Sequence, residues 1–117
     1  MSTSINGSGL ITPFSNTIPP TQIVNPIVTN TIATYAVSST DYTIIQTTIA
    51  SVYTLPTATA GRLLLLVTQF AGTVTSASSN VVPLAGGAAG TAILAATAGK
   101  FALLQSNGTN WNIVMAN

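Results

Sequence analysis

Only three side chains in this 117-residue sequence are charged, namely Asp41, Arg62 and Lys100. A serine activated by Lys100 is the one nucleophilic arrangement that these residue types allow, and no serine is placed by pattern beside that lysine. The sequence contains no histidine, no cysteine and no glutamate. A usual glycosidase needs two carboxylates, and Ser-His-Asp or Cys-His sites need a base that is missing. The sequence therefore predicts that the protein is not an enzyme.

The same shortage argues against cofactors and nucleic acids. Metal sites need several His, Cys or acidic ligands, and no Gly-rich loop carries the Lys and Ser/Thr of a phosphate-binding motif. Binding to a phosphate backbone requires several Lys and Arg residues, and this chain has two. We expect no metal, no cofactor and no nucleic-acid partner.

A membrane partner is not expected either. The densest apolar run, Leu63 to Val67, is far shorter than the roughly 20 residues of a spanning helix. The first ten residues lack the basic segment and apolar core of a signal peptide.

The surface composition predicts self-assembly. Charged residues make up 3% of the chain and hydrophobic residues 47%, whereas ordinary soluble domains carry about 25% charged residues. A monomer of this mass would expose roughly 5,900 Å², or about one charge per 2,000 Å². The strand-forming segments also lack the lysines that protect sheet edges. An oligomer is the favoured interpretation, and the alternative is a monomer kept soluble by its many Ser, Thr and Asn residues.

Residues 1–30 are predicted to form an extended N-terminal arm. This segment contains four of the six prolines, which disfavour both helices and central strands. Its apolar residues are too numerous for an ordinary disordered tail, so we expect them to dock on a partner; the alternative is a flexible apolar tail. The predicted anchors are Ile5, Leu10, Ile11, Phe14, Ile18, Ile23 and Val24.

Residues 31–117 are predicted to form an all-β domain, a small antiparallel β-sandwich or barrel that is jelly-roll-like. Short apolar stretches are separated by turn signals at spacings typical of such folds. The unbroken leucines of residues 62–68 predict a strand buried on both faces. No clean internal repeat is visible. Strands are expected at 32–37, 42–46, 52–55, 62–68, 72–75, 80–84, 92–94, 100–105 and 111–115.

Several single residues have predicted structural roles. Asn107 and Gly108 are expected to form a two-residue type I′ hairpin turn. Trp111 would follow as a core anchor rather than a sugar platform, with Ile113 and Met115 on its face of the strand. Asp41 is predicted to cap the turn before Tyr42 and to pair with Arg62.

Four short motifs follow one another in the predicted β-domain. They are Asp41-Tyr42-Thr43-Ile44-Ile45, Tyr53-Thr54-Leu55-Pro56-Thr57-Ala58, Gly61-Arg62-Leu63-Leu64 and Ser106-Asn107-Gly108-Thr109-Asn110-Trp111-Asn112-Ile113. Taken in this order, they resemble a small β-domain of tailed-bacteriophage virion proteins, which occurs in head fibres, tail-fibre modules and capsid decoration proteins. The resemblance covers about two-thirds of the chain and implies an all-β trimer without enzymatic activity.

The chain has neither the long shaft nor the larger receptor-binding tip of a fibre, which favours a capsid decoration, or cement, protein. The expected partners are two further copies of the chain, as a homotrimer, and the major capsid protein on the virion surface. The first alternative is a head- or tail-fibre module that binds host glycans through Trp111, Tyr42 or Tyr53. The second is a structural protein of a cellular surface layer or pilus.

Overall fold

A computed structural model describes residues 24–117 of the chain. Within that range there are ten short strands and no helix, so nothing helical there is long or apolar enough to cross a bilayer. The strands are β1 (Ile27–Asn30), β2 (Thr34–Ala36), β3 (Thr43–Gln46), β4 (Ser51–Thr54), β5 (Leu63–Thr68), β6 (Val74–Ser76), β7 (Val81–Val82), β8 (Ala92–Leu94), β9 (Phe101–Ser106) and β10 (Trp111–Ala116).

The strands form two sheets, which confirms the all-β prediction. The six-stranded sheet has the order β1-β3-β5-β9-β10-β7, and the four-stranded sheet has the order β2-β4-β6-β8. The predicted antiparallel, jelly-roll-like pairing is wrong, because β1, β3 and β5 run parallel, as do β2, β4 and β6. Strands β1 to β6 alternate between the two sheets, and each return to a sheet runs in the same direction as the strand before it in that sheet. Among the strands of residues 24–117, the antiparallel pairs are β5–β9, β9–β10 and β6–β8, and β7 pairs with β10 in parallel.

The first six strands form three stacked coils, each with one strand in either sheet. Positions 27, 43 and 65 align across the six-stranded sheet. Their unequal spacing along the chain explains why no repeat is visible in the sequence. The backbone follows the same path in each coil, but the loops differ in length, so the sequence shows no fixed period.

A buried polar residue ends the first strand of every coil. Asn30, Gln46 and Thr68 are neighbours in register, and each is at most 4% exposed. Their side chains donate to carbonyl oxygens of the bends that follow, those of Ile32, Ile49 and Phe70, over 3.0, 2.7 and 2.7 Å. The polar side chains thus satisfy backbone groups where the chain leaves one sheet for the other.

The core lies between the two sheets and follows strand alternation. On β5, Leu64 and Leu66 point inward and are fully buried. Leu63 is exposed, while Leu65 and Val67 are partly exposed. The prediction that this strand is buried on both faces is therefore wrong for the single chain. The fully buried apolar side chains of the core include Ile44, Tyr53, Leu64, Leu66, Val74, Leu104 and Trp111.

A β-bulge changes the predicted face of Met115. Ile113 lies opposite Leu104, but the register shifts at Val114, so Met115 lies opposite Leu103. The extra residue turns Met115 to the outside of the sheet. The prediction that Met115 shares a face with Trp111 and Ile113 is wrong for this reason.

The last hairpin has a four-residue loop instead of the predicted two-residue turn. Ser106 pairs with Trp111, and the side-chain oxygen of Asn107 accepts hydrogen bonds from the N–H groups of Thr109 and Asn110, both at 2.9 Å. Gly108 has φ +94°, which suits glycine. The Asn107 side chain bonds to the backbone of the loop in an Asx-type turn. This turn forms in place of the type I′ turn that was predicted.

Strand β1 lies within the segment predicted as an arm, and it pairs with β3 in the six-stranded sheet. The body therefore includes residues 27–30. Of the predicted anchors, Val24 is described and is 75% exposed. Ile5, Leu10, Ile11, Phe14, Ile18 and Ile23 lie outside the described residues.

Candidate assembly surface

The charged residues Asp41 and Arg62 meet at one corner of the fold. The Asp41 carboxylate accepts hydrogen bonds from the Tyr35 hydroxyl at 2.7 Å and from the Ser38 N–H at 2.9 Å. Arg62 Nη2 donates to the backbone carbonyls of Ser38 and Asp41, each at 2.8 Å. The Arg62 guanidinium therefore binds backbone carbonyls at this corner. The predicted pairing was with the Asp41 carboxylate instead.

The pKa shifts of Asp41 and Tyr35 indicate that the two groups make a structural contact. Burial on its own would raise the pKa of Asp41, but the hydrogen bonds from Ser38 and Tyr35 and the charge of Arg62 lower it below its ordinary value. Burial and the neighbouring Asp41 carboxylate raise the pKa of Tyr35 to about 12. Asp41 therefore stays ionised and Tyr35 stays a donor at neutral pH, which leaves neither group poised for proton transfer.

A second polar cluster lies inside the body. Gln46 Oε1 accepts from Asn30 Nδ2 at 2.7 Å and from the Tyr53 hydroxyl at 2.9 Å. Burial raises the pKa of Tyr53 above its usual value. These groups bond to one another in the interior, so the cluster stabilises the coils and offers no surface for a ligand.

The aromatic residues named for glycan binding are mostly inaccessible. Trp111 and Tyr53 are fully buried, and Trp111 Nε1 donates to the Pro56 carbonyl at 3.1 Å. Tyr42 is partly exposed. A sugar platform built from Trp111 or Tyr53 would need the core to open, which disfavours the fibre-module alternative.

The outer side of the six-stranded sheet carries apolar side chains that strand register places side by side. One row across it joins Ile27, Thr43, Leu65, Leu103 and Met115 in strand register. The adjacent row joins Thr29, Ile45, Val67 and Phe101. We define the apolar face as Ile27, Ile45, Leu63, Leu65, Val67, Phe101, Leu103 and Met115.

Exposure is greatest at the margins of the apolar face. Ile27 on β1 is 65% exposed and Met115 on β10 is 55% exposed, whereas Leu65 and Leu103 near the centre are shielded in part by their neighbours. No charged residue belongs to the face. Arg62 precedes β5 and Lys100 precedes β9, and because these strands are antiparallel the two charges lie at opposite ends of the pair.

The outer side of the four-stranded sheet is different. Its outward positions carry mainly threonine and alanine, and Val52, at 40% exposed, is the one large apolar residue among them. We define the threonine face as Thr34, Ala36, Val52, Thr54, Thr75 and Ala92. Hydroxyl groups suit this face to water, so the two outer surfaces of the body differ in polarity.

Within residues 24–117 no cluster of three or more His, Cys, Asp or Glu side chains could hold a metal ion. Comparison of the chain with protein-family models, with curated proteins and with solved structures gives no match. The candidate site therefore rests on the geometry of this chain alone. Its signal in the sequence is the unbroken leucine run of β5, which predicts burial on both faces of that strand.

Proposed function

We propose that the protein is a non-catalytic structural component of a tailed-bacteriophage virion, a capsid decoration protein that binds the outer capsid as a homotrimer and stabilises the shell. The observation that carries this proposal is the apolar face, whose side chains lie on five of the six strands of one sheet and include no charged group. A surface of that kind marks an interaction site rather than a water-exposed exterior. The resemblance of four short motifs to phage virion β-domains suggests the biological setting of this proposal.

The polar groups of the body support a structural role over catalysis. Asp41 is occupied by Tyr35 and Ser38, and the amide of Gln46 is occupied by Asn30, Tyr53 and Ile49. These contacts hold loops and coils together. A partner would therefore recognise the body through the shape and apolar area of its surface.

The place where the chain enters the body suits attachment to a lattice. The carbonyl of Pro26 accepts the Thr43 N–H at 3.1 Å, so the chain is held from that residue onward at the edge of the six-stranded sheet. Val24 lies just before this point and is exposed. In this proposal residues 1–23 belong to the capsid-binding arm, and three such arms in a trimer would bind a capsid with high effective concentration.

The mechanism in this proposal is non-covalent. Each trimer bridges neighbouring capsid subunits, so expansion of the shell under internal pressure must break additional contacts. Extended segments bind mainly by adding main-chain hydrogen bonds and filling apolar grooves. The predicted anchors from Ile5 to Val24 would provide that contact.

Co-sedimentation with capsids tests the proposal. Undecorated capsids of the virus that encodes the chain are mixed with the full-length protein or with a variant lacking residues 1–23, which retains the whole of β1. We expect the full-length protein to saturate the capsids and to raise the temperature at which DNA is released. The shortened variant should bind at least tenfold more weakly. Equal occupancy by both proteins would exclude the arm as the attachment segment, and no binding by either would exclude capsid decoration.

A further inference from the structure

We infer that the apolar face is the surface through which copies of this chain associate, so that the six-stranded sheets face one another inside the oligomer and the threonine faces look outward. This inference rests on the proposed function, because it assigns the interface of the proposed homotrimer. Its occupant is a second copy of the same chain.

The first argument is the leucine run of β5. Strands with unbroken apolar residues are those buried on both sides, yet in one copy only Leu64 and Leu66 are enclosed. β5 is the third of six strands, so Leu65 and Val67 lie near the middle of the sheet's outer side. A neighbouring copy on that side would complete the burial that the residue types favour.

The second argument is size. The apolar face occupies five strands that are each about 4.8 Å wide; β5, β9 and β10 have six residues and are about 20 Å long, whereas β1 and β3 have four residues and are about 13 Å long. The resulting flat area is roughly 400 Å², about half of the ~800 Å² that one partner contributes to a standard interface. A single extended segment would cover the width of only one or two strands.

The third argument is charge. Partners of different sequence are selected mainly through complementary charged and polar groups. The apolar face carries no charged side chain that could select such a partner. Identical copies can associate through an apolar surface that is complementary to the symmetry-related surface of the next copy. Arg62 and Lys100 lie at the ends of β5 and β9, where an interface rim remains in water.

The fourth argument is the contrast between the two outer surfaces. The apolar face has large aliphatic and aromatic side chains on five strands, whereas the threonine face is built from hydroxyls and methyl groups. An oligomer that buries the first and exposes the second would need few charges to stay in solution. This arrangement accounts for a body with one acidic and two basic side chains.

Charge insertion on each face locates the interface. Leu65→Arg and Met115→Arg place a cation on the apolar face, and Val52→Arg is the matched control on the threonine face. Native mass spectrometry and sedimentation velocity at a fixed micromolar concentration report the mass. We expect trimers for the wild type and for Val52→Arg, and monomers with retained β circular dichroism for the two apolar-face variants. Folded trimers of both Leu65→Arg and Met115→Arg would overturn the inference.

A chemical-protection experiment avoids destabilising the core. The chain has no cysteine, so Met115→Cys and Val52→Cys each introduce a single thiol at a position that is well exposed in one copy. We expect maleimide to label Met115→Cys at least tenfold more slowly than Val52→Cys when the protein is oligomeric, and at similar rates after dilution to monomers. Equal rates in the oligomer, or slower labelling of Val52→Cys, would show that another surface is the interface.

The outcomes separate this inference from the proposed function. A wild-type oligomer with a freely labelled Met115→Cys overturns the interface but leaves capsid decoration to the co-sedimentation experiment. A wild-type monomer at all concentrations overturns both the interface and the proposed homotrimer. Capsid binding by an oligomer with a protected Met115→Cys supports both.

Discussion

The side-chain amide of Asn30 donates a hydrogen bond of 2.7 Å to Oε1 of Gln46 across the paired strands β1 and β3. The Tyr53 hydroxyl, from the opposite sheet, reaches the same oxygen over 2.9 Å. A single buried amide therefore links two coils and both sheets. Each polar group in this cluster compensates for the burial of another, so loss of the acceptor has a larger effect than loss of one donor.

Gln46→Leu tests this central role. We expect the free energy of unfolding to fall by roughly 3 kcal/mol, because Asn30 and Tyr53 lose their acceptor inside the core. Urea unfolding at one fixed protein concentration measures it, since assembly makes stability concentration-dependent. Gln69→Leu, at an exposed position of the bend after β5, is the control. Identical urea midpoints for the two variants would contradict the proposed role.

Asp41 should set the acid limit of stability. Its pKa is lowered in the folded chain, so its contribution is present above the unfolded value near 4 and is lost as pH falls through the folded pKa. Asp41 is the one Asp or Glu side chain in the sequence. A loss of stability in acid can therefore be assigned to this carboxyl without competing Asp or Glu residues. We expect the wild type to lose stability below about pH 4.

Asp41→Asn provides the comparison for that profile. The amide keeps the size of the side chain but does not titrate, so the variant should be less stable at pH 7 and nearly independent of pH between 2 and 5, apart from the C-terminal carboxyl. Thermal unfolding across this pH range gives the profile. A variant that shows the same acid transition as the wild type would place the titrating group elsewhere.

Gly108→Ala tests the loop that replaced the predicted turn. Gly108 has φ +94°, where an L side chain is strained by roughly 1–2 kcal/mol. Space is not the obstacle, since the nearest atom to an added Cβ is Ala60 Cβ at 3.6 Å. We expect a lower urea midpoint for Gly108→Ala and little change for Gly90→Ala, a glycine with open space around it. Equal effects would mean that backbone strain is not the cause.

Trp111→Phe tests the buried indole. The substitution leaves a cavity and removes the donor to the Pro56 carbonyl, so we expect a loss of about 2–4 kcal/mol. Tyr42→Phe is the matched aromatic control at a partly exposed position, with an expected change within about 0.5 kcal/mol. Chemical unfolding measures both. Binding to a glycan array that is lost in Trp111→Phe but not in Tyr42→Phe, with stability unchanged, would instead favour a sugar site.

Local structure was largely predictable from the residues. The sequence predicted a β-strand over 62–68, and β5 is Leu63–Thr68; it also predicted a strand beginning at Trp111, where β10 begins. Apart from the last hairpin, in which β9 and β10 pair as predicted, it did not predict which strands pair. Asn30, Gln46 and Thr68 stand at unequal intervals, so their alignment on successive coils emerges only when the loops between them are placed.

The amino-acid sequence alone determined the all-β class, the absence of the side chains that common catalytic sites need, and the scarcity of surface charge, because these follow from residue type and local alternation. Only the tertiary structure decided that the strands run parallel in coils, that Met115 turns outward at a bulge, and that Leu65, Leu103 and Met115 form one row. Such rows join strands far apart in the chain, and their register depends on loop paths and bulges that no local pattern encodes.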